Sequence, residues 1–326
     1  MNLINGRLLA DKIKDTVAKE VFDLCANPAN KELLARRPSL ALLLVGERPD
    51  SQLYVNLKDK AAKEVGIDTN LYKFDDGVAE AEILDTIKFL NADETIDGIL
   101  IQLPLPEHLD TDKIIETINP EKDVDGFHPD NIKKLETCLP ADAGRGQGNL
   151  KLETCAVISP VFQSVLACLV EAKFDLTDKN VAIVAKPGIF IDSLDKLLEH
   201  LGAQVALVEP SEVGAKTATA DLLITAIGSP SAKATGDKAS TTEADLIITA
   251  VGQADLITGE DIKDGAVLID IGICKDETGK TCGDVDATSV QDKAGWLTPV
   301  PGGIGPMTIA FALKNTLEFF KKNLKK

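Results

Sequence analysis

The sequence predicts a two-domain α/β protein built on parallel strands, and three observations lead to that class. Short runs of Val, Ile and Leu alternate with helical patterns along most of the chain. Continuous apolar runs of this kind belong to parallel strands, because the helices that connect them cover both faces of the sheet. A chain of 326 residues is also longer than one ordinary small core needs. Finally, "CLPADAGRGQGNLKLETC" (138–155) has the glycine and polar content of a linker. The domains expected from this are 1–150, completed by a returning helix at 306–326, and 151–305.

The elements follow in order. "MNLINGRLLADKIKD" lacks the apolar stretch of a signal peptide and reads as the start of a cytoplasmic domain. "SLALLLVG" (39–46) is a strand. "SQLYVNLKDKAAKEVGI" (51–67) is a helix that Asp50 or Ser51 caps and Gly66 stops. "TNLYKF" (69–74) and "DGILIQLPLP" (97–106) are strands flanking a helix around 79–90. In the second half "KNVAIVAK" (179–186), "AQVALVE" (203–209) and "GAVLIDIGI" (265–273) are strands of a parallel sheet. "ADLLITAIG" (220–228) returns as "ADLIITAVG" (244–252), which predicts a duplicated strand inside that sheet. "PMTIAFALKNTLEFFKKNLKK" closes the chain as an amphipathic helix with a basic end that suits its dipole.

Composition excludes several functions. A net charge of −17 opposes a nucleic-acid or anionic-membrane surface. No apolar run approaches the roughly 20 residues that span a bilayer. Six cysteines without a CxxC pair and three histidines argue against a zinc site or any other metal centre, and for reduced thiols.

One residue breaks the pattern. In the helix at 51–67, Leu53, Tyr54, Val55, Leu57, Ala61, Ala62 and Val65 form one broad apolar face. Asp59, Lys60, Lys63 and Glu64 take the other side, yet Lys58 lies in the middle of the apolar arc. The plain reading is a lysine whose stem covers apolar surface while its ammonium reaches the rim. The sharper one is a lysine whose pKa burial lowers until it exchanges protons near neutrality. Three other stretches favour the second. Gln102 ends an apolar strand just before two prolines, where parallel sheets present ligands. Asp123 and Asp125 flank Val124 in the turn-rich "PEKDVDGFHPDN" (120–131). "TPVPGGIGPMT" (298–308) has three prolines and three glycines, a backbone suited to close approach.

Taken together, "YVNLKDKAAKEVGI", "DGILIQLPLP", "EKDVDGFHPDN" and "TPVPGGIGPMT" resemble, in order, the signature stretches of the methylenetetrahydrofolate dehydrogenase/methenyltetrahydrofolate cyclohydrolase family. The resemblance implies an N-terminal α/β catalytic domain, a Rossmann-like NAD(P)-binding domain, tetrahydrofolate substrates and a homodimer formed through the cofactor domain. It implies that Lys58 is the general acid/base, that Gln102 tunes it, that Tyr54 stacks on the folate and that Asp125 anchors the pterin. The Pro301, Gly302 and Gly303 backbone would line the same cleft. Tyr-x-x-x-Lys is also the pair of short-chain dehydrogenases, but there it follows a Gly-rich cofactor loop, and "MNLINGRLLA" is no such loop.

The likeness departs at the cofactor loop. Where the family has Gly-Arg-Ser, this chain has Val184, Ala185 and Lys186, followed by Pro187 and Gly188. Phe190 replaces a second glycine and Asp192 a proline, while the upstream Thr-Pro-x-Gly reads Ser159, Pro160, Val161, Phe162. Glu209 ends the next strand, where a Rossmann fold addresses ribose hydroxyls, and Ile273 would lie against the nicotinamide. Ala185, Lys186, Pro187, Gly188, Glu209 and Ile273 are thus the expected cofactor residues, for NAD+ or NADP+. The family reaction oxidises methylenetetrahydrofolate and hydrolyses the methenyl product to formyltetrahydrofolate. The alternatives are a cyclohydrolase without redox activity and a silent folate-binding homologue, against which a buried Lys58 speaks.

Overall fold

A computed structural model describes residues 1–26, 36–138, 157–184, 189–208, 222–224 and 246–324. The chain begins with β1 (Asn2–Leu3), α1 (Gly6–Ala26), β2 (Ser39–Val45), α2 (Pro49–Val65), β3 (Asp68–Phe74), α3 (Glu80–Ala92) and β4 (Gly98–Ile101). Next come α4 (Thr111–Thr117), α5 (Pro129–Cys138), α6 (Pro160–Glu171), β5 (Asn180–Val184), α7 (Ile189–His200), β6 (Gln204–Val208) and β7 (Leu222–Ile224). It continues with β8 (Leu246–Thr249), β9 (Val267–Asp270), β10 (Cys274–Lys275), β11 (Thr281–Cys282), β12 (Trp296–Leu297) and α8 (Ile304–Asn323). The predicted linker lies almost wholly outside the described residues.

The chain divides into two compact units. One comprises Ala10–Lys134, Ala156–Pro160 and Thr308–Lys326, and the other Met1–Leu9, Leu135–Cys155 and Val161–Met307. Met1–Leu9 go with the second unit, not with the 1–150 block expected from sequence, because Asn2 and Leu3 pair in parallel with Trp296 and Leu297.

The first unit holds a parallel three-stranded sheet in the order β3-β2-β4. Every residue of β2 is buried, since alternate side chains enter two different cores. Leu40, Leu42 and Leu44 pack with Val17 and Val21 of α1, Val55, Ala62 and Val65 of α2, and Leu313, Leu317 and Phe320 of α8. Ala41, Leu43 and Val45 meet Ile83, Ile87 and Leu90 of α3 and Ile114 of α4. α8 is less amphipathic than its sequence suggests. Between Ile309 and Phe320 only Lys314 and Glu318 are exposed, one turn apart, so the helix serves as core rather than cover.

The second unit holds a seven-stranded parallel sheet in the order β1-β12-β9-β8-β7-β5-β6, and β10 and β11 form a separate antiparallel hairpin. The two copies of the repeat supply neighbouring strands. Leu222 pairs with Leu246, Leu223 with Ile247 and Ile224 with Ile248, the equivalent positions of each copy. Among the described residues, no helix is long and apolar enough to cross a membrane.

Candidate active site

The first unit brings four of the expected residues onto three elements. α2 begins earlier than expected: Pro49 occupies its first turn, the N-cap is Arg48, and no side chain caps it, neither Asp50 nor Ser51. Its end is as expected, with Gly66 at φ 83° in the left-handed region that glycine tolerates. The apolar face is divided. Val55, Ala61, Ala62 and Val65 are buried, whereas Leu53 and Leu57 are 56% and 42% exposed. Tyr54 and Lys58 lie one turn apart and are both half-buried.

Lys58 Nζ donates to Gln102 Oε1 at 2.9 Å. Gln102 follows β4, and its backbone N donates to Leu43 O at 2.9 Å, which holds it beside the central strand. Its Nε2 donates to Leu103 O at 2.8 Å. That bond orients the amide, because only the nitrogen end donates, and it turns the oxygen toward the ammonium.

Asp125 comes from the turn that follows the bridge between Ile99 and Asp123. Asp123, read from sequence as a turn residue, is the buried clamp of this segment. Its carboxylate accepts from Gly126 N (3.0 Å), His128 N (2.9 Å) and Asn131 Nδ2 (3.0 Å). Asn131, which the sequence reading did not single out, also donates to Pro120 O at 3.0 Å. Gly126 has φ 71°, and a Cβ there would sit 3.1 Å from Ser159 N, so glycine is required by conformation and space together. Ser159 therefore belongs beside Asp125 in this unit, and its buried Oγ has no hydrogen-bond partner among the described residues. A buried hydroxyl without a partner is unusual in a folded protein.

Burial pushes both charged partners toward neutrality. The Lys58 ammonium is held below its ordinary 10.5 by desolvation, and the negative charge of Asp125 opposes that shift. Asp125 is pushed up to about 6 by desolvation, with Lys58 drawing it down and Asp123 pushing it further up. Ile101, Leu103 and Phe127 line a small cavity together with Asp123 and Asp125, which supplies the apolar surroundings. A lysine whose proton is loosened, aimed by an amide and held within the field of a carboxylate, is suited to take up and return a proton.

The remaining expected residues belong to the second unit. Arg7 N donates to Gly302 O at 3.2 Å, which ties the Pro301–Gly303 backbone to the start of α1. Ala185, Lys186, Pro187, Gly188 and Glu209 lie outside the described residues. Ile273 is 45% exposed, shortly after the carboxyl end of β9. The frame for a dinucleotide is nonetheless there: β5 and β6 pair in parallel, α7 connects them, and only residues 185–188 separate β5 from that helix. A parallel strand–helix–strand unit of this kind receives a pyrophosphate at its helix N-terminus, so the fold fits NAD(P)+. Phe190 and Asp192, noted from sequence as departures, fall in the first turn of α7. Among the described residues no group of His, Cys, Asp or Glu is placed to hold a metal.

Comparison with known proteins agrees with this geometry. Residues 4–125 match the tetrahydrofolate dehydrogenase/cyclohydrolase catalytic domain. Residues 231–324 match the NAD(P)-binding domain of the same enzymes, and the departing loop lies outside both ranges. The chain is 38% identical to the bifunctional protein FolD of Nautilia profundicola, over 98% of each chain. It is 40% identical to that of Geobacillus thermodenitrificans, over 97% of this chain and 96% of the other. The crystal structure of the FolD methylenetetrahydrofolate dehydrogenase/cyclohydrolase from Campylobacter jejuni superposes with a TM-score of 0.79 at 33% identity, covering 99% of both chains. A Trypanosoma brucei FolD solved with NADP and an inhibitor also gives 0.79, at 27% identity over 99% and 98% of the two chains. With full-length relatives at this identity, the chain belongs to the tetrahydrofolate dehydrogenase/cyclohydrolase family.

Proposed function

We propose that this protein oxidises methylenetetrahydrofolate with NAD(P)+ and hydrolyses the methenyl product to formyltetrahydrofolate. The observation that carries the reading is the bond from Lys58 Nζ to Gln102 Oε1, beside Asp125, in a chain of this family. In the hydrolysis Lys58 takes a proton from the water that adds to the methenyl carbon. It then returns the proton to the ring nitrogen that leaves, and formyl stays on the other nitrogen. Gln102 keeps the amine aimed, and Asp125 both counters the Lys58 charge and binds the pterin through its ring nitrogens. Tyr54 offers its ring to the folate, and the family resemblance assigns the Pro301, Gly302 and Gly303 backbone to folate binding as well.

The first unit is thus the folate domain, and the second is the cofactor domain. NAD(P)+, when bound, accepts the hydride in the oxidation. Ala185, Lys186, Pro187 and Gly188 would hold its pyrophosphate, Glu209 its ribose and Ile273 its nicotinamide. The enzyme acts as a homodimer in the cytoplasm on this reading. A spectrophotometric assay with methylenetetrahydrofolate, run separately with NAD+ and NADP+, tests it. Formation of methenyltetrahydrofolate followed by its hydrolysis is expected.

One feature favours a second reading. Phe190 and Asp192, in the first turn of α7, put a bulky and a negatively charged residue type where the family has a glycine and a proline. A cyclohydrolase without dehydrogenase activity would hydrolyse methenyltetrahydrofolate in the same assay and reduce neither nucleotide.

A further inference from the structure

The six cysteines are scattered along the sequence, but two of them meet in space. Cys274 and Cys282 stand directly opposite each other in the β10–β11 ladder, with their Sγ atoms 3.0 Å apart. The turn between them is closed by its own bonds. Asp276 N donates to Lys280 O and Gly279 N to Asp276 O, both at 2.9 Å. The Asp276 carboxylate accepts from Thr278 N (2.9 Å), Thr278 Oγ1 (2.6 Å) and Lys280 N (2.9 Å). The two thiols are therefore held face to face by the backbone. Opposed residues of an antiparallel pair lie about 4.5–5.5 Å apart at Cα, within the roughly 4.4–6.8 Å that a disulfide spans. Both side chains are half-buried, so a small reagent has access to them.

We propose that Cys274 and Cys282 form a reversible disulfide site, oxidised by exchange with low-molecular-weight disulfides. The proposal goes beyond the folate chemistry and stands without it. Exchange starts at Cys282. Its thiolate attacks one sulfur of RSSR, a mixed disulfide forms, and the first RS⁻ leaves and takes up a proton. Cys274 then attacks Cys282 Sγ and gives up its own proton, and the second RS⁻ leaves as RSH. Two protein thiols are oxidised and one RSSR is reduced to two RSH.

The order of events follows from the surroundings of Cys274. Its Sγ donates to Gly283 O at 3.2 Å. Burial, the contact with Cys282 and the charges of Asp284 and Asp270 all push this thiol up, and its bond to Gly283 O holds the proton, so Cys274 acts second. The pair also adjoins a loop anchor. Asp284, two residues after Cys282, accepts from Val251 N (2.6 Å), Gly252 N (2.9 Å) and Gln253 N (2.8 Å), the loop that follows β8. The cross-link would thus lie near the carboxyl ends of β8 and β9, where a parallel sheet binds its ligands. Sequence spacing gave no sign of it, because the two cysteines are eight positions apart and only the hairpin brings them together.

The test uses the intact folded protein equilibrated in glutathione buffers of increasing oxidised fraction, with thiol counting and peptide mapping. Two of the six thiols should disappear together, a peptide pair carrying Cys274 and Cys282 should be joined, and dithiothreitol should restore both. Cys282→Ser should form no such link, and Cys282→Ala should behave alike. The wild-type map decides the matter even if the variants fold poorly. The proposal is overturned if both cysteines stay free in fully oxidised buffer, or if each keeps its own glutathione adduct.

Discussion

The two halves of this molecule differ in how their function is written. The first unit works through side chains: Lys58 donates to Gln102 Oε1, and Asp125 sits in a turn that Asp123 clamps. On the proposed mechanism, changing Lys58, Gln102 or Asp125 removes an atom from the chemistry. On the proposed function the second unit binds its cofactor where β5 leads into α7, and a site at a helix N-terminus relies on backbone amides more than on side chains. Backbone amides persist when side chains change, so departures there alter affinity before they abolish a fold. The difference teaches that a substituted catalytic lysine and a substituted cofactor loop deserve different weight.

The sharpest way to break the comparison is Lys58→Met, which keeps most of the stem volume on the buried face. Cyclohydrolase turnover should fall by about 100-fold or more, with thermal stability little changed. Wild-type hydrolysis by the purified variant would remove Lys58 from the mechanism.

Asp125→Ala should weaken folate binding by about 1.5–3 kcal/mol, roughly ten- to hundredfold, and an unchanged dissociation constant would make Asp125 a turn residue only. The same carboxylate sets a pH dependence. Its pKa in the fold lies above the ordinary 3.8, at about 6, so the fold prefers the protonated form. Its contribution to stability is therefore greatest below the ordinary value and is lost as pH rises through about 6. Folate affinity should move the other way, weakening about tenfold between neutral pH and one unit below the Asp125 pKa. Asp125→Asn should flatten both profiles in denaturant and binding titrations.

Smaller effects are expected on the cofactor side. Repulsion from Asp192 and the bulk of Phe190 should weaken dinucleotide binding, and Glu209 should favour NAD+ over NADP+ by several-fold, since an acidic residue repels the 2′-phosphate. Calorimetric titration with both nucleotides checks this, and tight NADP+ binding with feeble NAD+ binding would refute it. The smallest effect belongs to Ser159, whose buried Oγ lacks a partner. Ser159→Ala should stabilise the ligand-free protein by about 1 kcal/mol and slightly weaken folate binding. A loss of stability on denaturation would show that the hydroxyl is satisfied.

Most of the fold was legible because β2, β5, β6 and β9 are short Val/Ile/Leu-rich strands whose composition announces them, and β2 and β9 are buried throughout. The repeat was legible for the same reason, and its copies do pair at equivalent positions. The two-residue strands β1 and β12 were not, since Asn2–Leu3 and Trp296–Leu297 are too short to carry a period and exist only by pairing. On α2, periodicity placed Leu53 and Leu57 on the apolar face but was blind to where that face stops being covered. In the site, Lys58 stood out as a charge in an apolar arc. Asn131 did not, and Asp123 stood out only as one of two turn aspartates, because an aspartate that clamps a turn looks in sequence like any other.

The central claim is that burial loosens the proton of Lys58 while Asp125 restrains the shift. Nuclear magnetic resonance titration of the labelled Lys58 side chain in the folded protein tests it most directly. The account predicts a midpoint below the ordinary 10.5, and a further fall in Asp125→Asn, where the opposing negative charge is gone. A midpoint at or above 10.5, or a rise in the variant, would contradict it.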